Sequence, residues 1–275
     1  MTDLPIQPIA CVIGHPIAGN PTQFACERAL AAAELDWRFL SLDVTAERLE
    51  DAIRGVRAMG FLGVMVGHPH REGVVGLCDG LSEQAAAAQQ VDMIACQPDG
   101  QLTGHHLKSA AISDAIADAV PEPDARGKVS IAMLGDCPTM RAALRPLMQT
   151  DRYRWWVTEP ILDAPHEGLD WREVDRVDDA IDQTTAIIIR GRQGAQPTEL
   201  PESLLQRLSQ PALVIDMAET TSTSPLARYA LQQGLLALTR LDLLIMQATR
   251  ALEIWTGHRP DESVVREAFE EFLEI

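Results

Sequence analysis

The chain has 275 residues, of which 46% are hydrophobic, and its formal net charge is −17. That length is enough for one large or two ordinary domains with a sizeable core. A surface this acidic repels phosphate backbones, and no apolar run approaches the roughly 18–20 residues that a membrane-spanning helix needs. We therefore expect a soluble globular protein that binds neither nucleic acid nor membrane.

The cysteines indicate a reducing compartment. There are five of them, an odd number without CxxC spacing, which argues against a zinc site or a disulfide framework. The N-terminal stretch has no basic segment ahead of its apolar residues, which favours a first strand over a signal peptide. Both observations predict a cytoplasmic protein.

The first part of the chain alternates short apolar segments with amphipathic ones. β-branched apolar runs that end at turns predict buried strands, and apolar residues at helical spacing predict helices. In chain order we predict a strand at 9–14, a helix at 21–34 with Asn20 as N-cap, a strand at 37–44, a helix at 46–60, a strand at 61–67, helical residues at 70–89 and a hairpin at 91–104. The Asp99-Gly100 pair is typical of such a hairpin turn.

From about residue 106 helices alternate with wholly apolar strands. A continuous apolar run is typical of a parallel sheet, in which both faces are covered. We predict a helix at 107–120, strands at 129–135, 154–160, 184–191 and 211–217 with helices between them, and two helices at the C-terminal end. This alternation predicts a doubly wound parallel sheet. The expected fold is therefore a two-domain α/β protein, with a cleft between the domains as the place for a ligand.

Several strings spread over nearly the whole chain carry a family resemblance. They are VIGHPIAGNPTQ at 12–23, GFLGVMVGHPHRE at 60–72, LCDGLSEQA at 77–85, QVDMIACQPDGQLTGHHLKSAAI at 90–112, DMAETTSTSPLARYALQQG at 216–234 and LDLLIMQATRALEIWTGHRP at 241–260. In order and spacing they resemble the shikimate/quinate dehydrogenase family. The resemblance implies a substrate-binding domain at 1–105 plus 238–275 and a Rossmann-like, NAD(P)-binding domain at 106–237. It also implies an oxidoreductase of aromatic amino acid biosynthesis and a homodimer.

The resemblance implies that Arg71 and Lys108 are the catalytic positions. In the family a lysine and an aspartate there handle the alcohol proton during hydride transfer. Arginine stays protonated at any working pH, so Arg71 cannot act as a general base, although it can clamp a carboxylate. Lys108 reverses the charge of the family aspartate, and two facing cations would favour its neutral amine. Lysine is scarce here, with only Lys108 and Lys128 among 23 basic residues, so drift of lysine to arginine and a solvent-facing Lys108 stay open as alternatives.

The same resemblance implies a set of substrate-binding positions. They are Asn20, Thr22, Met65, Gly67, Asp92, Glu219 and Gln247. Thr22 keeps one hydroxyl of the family's carboxylate-binding pair, Asn20 replaces the other, and Gln247 matches a family glutamine. These positions, together with Arg71 and Lys108, predict a small carboxylate as ligand.

The remaining substrate positions depart from the family. Met65 and Gly67 replace an asparagine and a threonine, which deletes donors that ring hydroxyls need. Asp92 and Glu219 replace an asparagine and a tyrosine, and with Lys108 the three charge changes sum to zero. A pocket rebuilt around a charged cluster would give that pattern, and so would coincidence.

The loop after the first strand of the second domain implies a cofactor site. The implied cofactor-binding positions are Gly135, Asp136, Cys137, Pro138, Thr139 and Glu159. A dinucleotide needs glycines there so that the backbone can approach the pyrophosphate, and only the first glycine of the family string is kept. Pro138 has no N–H, and Asp136 is a good N-cap whose carboxylate competes with a diphosphate. Glu159 follows the next strand, where an acid holds the ribose diol of NAD.

A metal site is not expected. His105, His106 and Asp92 hold suitable ligand atoms, but adjacent side chains rarely aim at one ion. Three functions remain. The first is a protein that binds a small carboxylate, with NAD(P)-dependent dehydrogenation lost or altered; it acts either as a binding protein or through new chemistry at Lys108, such as Schiff-base formation or proton transfer. The second is an active shikimate- or quinate-type dehydrogenase. The third is an interaction protein that uses the family's dimer surface.

Overall fold

The computed structural model describes residues 7–119, 128–135, 138–149, 152–158, 170–173, 175, 179, 187–190, 213–217 and 224–275. The chain divides into two compact units. The first unit is Met1–Lys108 with Leu244–Ile275, and the second unit is Ser109–Leu243. Within the described residues each unit contains one six-stranded sheet, and the two-domain α/β fold class is confirmed.

The described elements alternate strands and helices along most of the chain. In chain order they are β1 (Ile9–Gly14), α1 (Thr22–Ala32), β2 (Arg38–Asp43), α2 (Leu49–Ala58), β3 (Gly63–Val66), β4 (Gly80–Leu81), α3 (Glu83–Ala88), β5 (Met93–Cys96), β6 (Leu102–His105), α4 (Leu107–Ala119), β7 (Val129–Leu134), α5 (Pro138–Met148), β8 (Tyr153–Val157), β9 (Asp170–Glu173), β10 (Ile187–Arg190), β11 (Leu213–Asp216), α6 (Pro225–Gln232), β12 (Leu236–Leu238), α7 (Arg240–Thr256) and α8 (Glu262–Leu273). None of these helices is long and apolar enough to cross a membrane.

The sheet of the first unit has the strand order β2-β1-β3-β5-β6-β4. β1 is parallel to β2 and β3, whereas β5 is antiparallel to β3 and β6, which confirms the predicted hairpin. Ile13, Val64 and Ile94 of the central strands are fully buried. Their apolar runs are continuous because both faces of these strands are covered.

Trp255 ties α7 to this sheet. Its indole Nε1 donates to the carbonyl of Ile94 at 3.1 Å, and its ring centroid lies 6.2 Å from that of Phe39. Gly63 makes the contact possible, because a Cβ at this position would lie 1.9 Å from the indole nitrogen. A residue near the C-terminus thereby completes the core of the N-terminal sheet.

All described strands in the sheet of the second unit are parallel. Its strand order is β12-β11-β10-β7-β8-β9, and β7 and β11 are buried along their whole length. The doubly wound parallel arrangement expected from the apolar runs is confirmed. On one side Ser109 of α4 donates its hydroxyl to the carbonyl of Thr139 in α5 at 2.9 Å, which fastens the two helices together.

Two local predictions were wrong. Residues 70–89 are not one helical segment, because β4 interrupts them by pairing Gly80 with Thr103 of β6, and long-range pairing overrides local helix propensity. Asn20 is not the N-cap of α1, which begins at Thr22 with Pro21 as its N-cap. The Asn20 carboxamide instead accepts the backbone N–H of Thr22 at 2.9 Å, a local bond typical of asparagine in turns.

Candidate functional site

Asp92 lies at the centre of the candidate site in the first unit. Its side chain is fully buried, and its two carboxylate oxygens accept the backbone N–H groups of Leu107 at 2.6 Å and Lys108 at 3.1 Å. These N–H groups begin α4, and the first N–H groups of a helix have no partner inside it. A carboxylate there also interacts favourably with the helix dipole. Asp92 therefore fixes both the start of α4 and the backbone of Lys108.

The backbone of Asp92 is held as firmly as its side chain. Its carbonyl accepts the N–H of Val66 at 2.9 Å, and its own N–H donates to the carbonyl of His105 at 2.9 Å. The buried side chain of Gln247 donates to the same carbonyl at 3.3 Å. Gln247, a predicted substrate-binding residue, is thus brought to the site, where it contacts the peptide of Asp92.

Two histidines adjoin this carboxylate. His106 is buried, and its Nδ1 lies 3.9 Å from Oδ2 of Asp92. Burial lowers the pKa of His106, Asp92 opposes that shift, and the positive charges of Arg71 and Lys108 add to it. Burial also lowers the pKa of His105 against the opposing effect of Asp92. Both imidazoles are therefore neutral near pH 7.

The positive charges of Arg71 and Lys108 both lower the pKa of His106. Both are half-buried. The guanidinium of Arg71 donates through Nε to the carbonyl of Val66 at 3.3 Å, at the end of β3. Two cationic side chains in this part of the first unit suit an anionic ligand.

The backbone at Gly67, directly after β3, leaves no room for the threonine side chain that the resemblance implies at this position. Gly67 donates its N–H to the carbonyl of Ile13 at 2.8 Å, and a Cβ on Gly67 would lie 2.9 Å from that oxygen. Close backbone approach of this kind requires glycine. Met65, two residues earlier, is buried in the sheet. Neither residue offers a polar side-chain group to a ligand.

Asn20 and Thr22 are the other predicted ligand residues that the structure describes. Thr22 is buried at the start of α1, and Asn20 accepts its N–H. Glu219 lies outside the described residues.

Sequence reasoning missed a further buried pair in the second unit, in which the hydroxyl of Ser224 donates to Asp216. The Ser224-Pro225 order, typical of a helix start, was the signal that could have found it.

The predicted cofactor loop is described only in part. Gly135 has a positive φ of 79°, and its N–H donates to the hydroxyl of Thr158 at 3.1 Å. α5 then begins at Pro138, and Thr139 in its first turn is buried. Asp136, Cys137 and Glu159 lie outside the described residues. The described part of the chain contains no group of three or more His, Cys, Asp or Glu side chains that could hold a metal ion.

Two family profiles match the chain, both within or overlapping the first unit. The profile of the shikimate dehydrogenase substrate binding domain matches residues 12–94, and that of the shikimate 5'-dehydrogenase C-terminal domain matches residues 241–268. The chain is also similar to solved structures with the same fold. The ligand-free 5-ketofructose reductase of Gluconobacter sp. strain CHM43 has a TM-score of 0.76 at 22% identity, covering 97% of this chain and 99% of that one. Quinate dehydrogenase from Corynebacterium glutamicum in complex with NAD has a TM-score of 0.74 at 20% identity, covering 96% and 99%.

Similar sequences span the same length. The protein of Rubrobacter xylanophilus named shikimate dehydrogenase (NADP(+)) is 28% identical, over 94% of this chain and 93% of its own length. The protein of the same name from Magnetococcus marinus is 27% identical, over 91% of both chains. The two matched profiles, the shared fold and these relatives together support the shikimate/quinate dehydrogenase family for this chain.

Proposed function

We propose that the first unit binds a small carboxylate ligand and that the family's NAD(P)-dependent dehydrogenation is altered or lost in this chain. The observation that carries the proposal is that two half-buried cations, Arg71 and Lys108, stand at the two positions to which the resemblance assigns proton transfer, with the backbone of Lys108 held by the buried Asp92 carboxylate. The resemblance implies a lysine and an aspartate at these two positions. A carboxylate beside a guanidinium and an ammonium gains charge-assisted hydrogen bonds.

Proton transfer is the step for which the site is least suited. A general base must accept a proton and release it near the working pH. Arg71 keeps its proton at all such values, and both oxygens of Asp92 already accept N–H groups from α4. His106 is buried, and its pKa is lowered. The groups that remain favour holding an anion over exchanging a proton with an alcohol.

Recognition of ring hydroxyls is also weakened. Met65 and Gly67 lack the donors that the resemblance implies at these positions. The tight contact of Gly67 with Ile13 leaves no space for a hydroxyl-bearing side chain. We therefore expect the ligand to be held mainly through its carboxylate.

For the cofactor we propose a reduced affinity for NAD(P). Gly135, with its positive φ, fits the turn that leads a dinucleotide-binding strand into a helix. Fewer backbone N–H groups are available to bind a pyrophosphate, because the N–H of Gly135 donates to the hydroxyl of Thr158 and Pro138 has no N–H. The homodimer implied by the resemblance and the cytoplasmic location predicted from the cysteines are also part of the proposal, and light scattering would give about twice the chain mass of 30.1 kDa for a dimer.

An active dehydrogenase is the second candidate. Relatives of the same length named shikimate dehydrogenase (NADP(+)) favour it. One lysine is still present at the site, and Arg71 beside Lys108 would favour the neutral amine that a proton acceptor needs. An absorbance assay for NADPH separates the two candidates, because only the second produces it from shikimate.

Calorimetric titration tests the binding half of the proposal. Shikimate, quinate and acyclic hydroxy acids are titrated into the unaltered protein and into Arg71→Met and Lys108→Met. We expect binding of at least one carboxylate and about tenfold or greater weakening in each variant, consistent with the loss of one charge-assisted bond. Arg54→Met, which removes an exposed arginine of α2 that pairs with Glu50 and Asp51, is the matched control. Equal affinity in all four proteins, or no binding at all, would refute the proposal.

A further inference from the structure

We propose that Asp92 is a positioning residue that anchors the backbone of Lys108 and balances the charge of the Arg71–Lys108 pair. This differs from the substrate-binding role that the resemblance implies for Asp92. It rests on the proposed function in one respect, namely that Lys108 faces the ligand.

The geometry leaves Asp92 little to offer a ligand. Its side chain is fully buried, and each carboxylate oxygen already accepts one backbone N–H from the start of α4. One of these donors is the N–H of Lys108 itself, at 3.1 Å. The carboxylate therefore sets where the backbone of Lys108 lies, and with it the origin of the lysine side chain.

Asp92 is itself immobilised from three directions. Its carbonyl accepts the N–H of Val66, the last residue of β3, and its own N–H donates to the carbonyl of His105 in β6. The side chain of Gln247 in α7 also donates to the Asp92 carbonyl. Because these bonds hold Asp92, its carboxylate can in turn hold the backbone N–H of Lys108 in place. Displacement of Lys108 would require breaking contacts in the sheet or at the helix start.

The second part of the role is electrostatic. The charge of Asp92 acts on His105 of β6 and on His106, whose Nδ1 lies 3.9 Å from Oδ2 of Asp92, and the charges of Arg71 and Lys108 act on the same His106 imidazole. Burial lowers the pKa of both imidazoles, so near neutral pH the negative charge of Asp92 is not matched by a histidine cation. Without it, two cations and the positive end of α4 would repel one another, and the amine of Lys108 would lose its proton more readily.

The scarcity of lysine makes this testable without knowing the ligand. The chain has two lysines, Lys108 and Lys128, and Lys128 lies in the second unit with its Nζ 3.8 Å from Asp170. An amine-reactive reagent is applied over a range of pH, and labelling of each lysine is quantified by mass spectrometry. The pH of half-maximal labelling reports proton affinity, whereas the plateau at high pH reports accessibility.

In Asp92→Asn we expect the half-labelling pH of Lys108 to fall by about one unit, which is about a tenfold faster reaction at fixed pH below the midpoint. Lys128 should be unchanged. Asp99→Asn, which removes an exposed carboxylate from the hairpin turn of the same unit, is the matched control and should move neither lysine. If Asp92→Asn does not fold, Asp92→Ser keeps a capping oxygen without the charge.

An unchanged half-labelling pH in a folded Asp92 variant would overturn the proposal, even if the plateau changed, because a purely structural role alters only accessibility. The experiment contains no ligand. A shifted midpoint together with absent carboxylate binding would therefore refute the proposed function alone, and an unshifted midpoint with intact binding would refute this proposal alone.

Discussion

Replacing Gly63 by alanine tests how the C-terminal helices complete the first unit. The added Cβ would lie 1.9 Å from Nε1 of Trp255 and 2.1 Å from its Cε2. The indole is rigid and packs beside Phe39, so it cannot evade the methyl group by turning about a flexible end. It has to move away from β3 as a whole, which breaks its 3.1 Å hydrogen bond to the carbonyl of Ile94.

The cost follows from two losses. A broken side-chain hydrogen bond in a protein interior costs about 1 kcal/mol. Forcing an extra methyl group into a packed core costs about 1–3 kcal/mol more. We therefore expect Gly63→Ala to lower the free energy of unfolding by about 2–4 kcal/mol in total.

Urea unfolding followed by far-ultraviolet circular dichroism measures this difference. Gly76→Ala is the matched control, since a Cβ on Gly76 would meet no heavy atom within 4 Å, and its unfolding free energy should change by less than about 0.5 kcal/mol. Equal stability of the two variants would refute the close packing of Trp255 on β3.

Three further predictions concern single residues of the first unit. Thr249 is fully buried, and its hydroxyl has no hydrogen-bond partner among the described residues, so Thr249→Val should raise the unfolding free energy by about 1 kcal/mol in urea titrations; a comparable loss would contradict this. His106 has its pKa lowered from 6.5, so the folded state gains its proton at lower pH than the unfolded state and stability is lost as pH falls below about 6.5. His106→Asn should lose less stability than the unaltered protein between pH 7 and pH 5, and equal losses would show that His106 is not buried uncharged. Gly67→Thr should lower stability by about 1–3 kcal/mol because its Cβ would crowd the carbonyl of Ile13, and a stable variant would show that this backbone contact is looser.

Burial on both faces explains which elements could be predicted. The strands that form β1, β7 and β11 are apolar along nearly their whole length, and the sequence marks them as parallel and central. β4 has only two residues, and it exists because Gly80 pairs with Thr103 far along the chain. Local patterns contain no trace of such a pairing, so the segment was predicted as helical.

The candidate site likewise combines residues that the sequence identifies with long-range contacts that it does not. The chemical identity of Arg71 and Lys108 is visible in the sequence once the resemblance is recognised. The sequence does not show that the Asp92 carboxylate accepts N–H groups at the start of α4, because these groups lie 15 and 16 residues further along the chain. The bond from Gln247 to the carbonyl of Asp92 spans 155 positions. Such contacts follow from how sheet and helix meet.

The initial rate of NADP⁺ reduction in the presence of shikimate, followed by absorbance, tests the central claim most directly. The claim is that a cation pair has replaced the family's proton-transferring pair at Arg71 and Lys108. With an active shikimate dehydrogenase as positive control, we expect no rise in absorbance above the rate without protein. A steady rise in proportion to the concentration of this protein would contradict the claim.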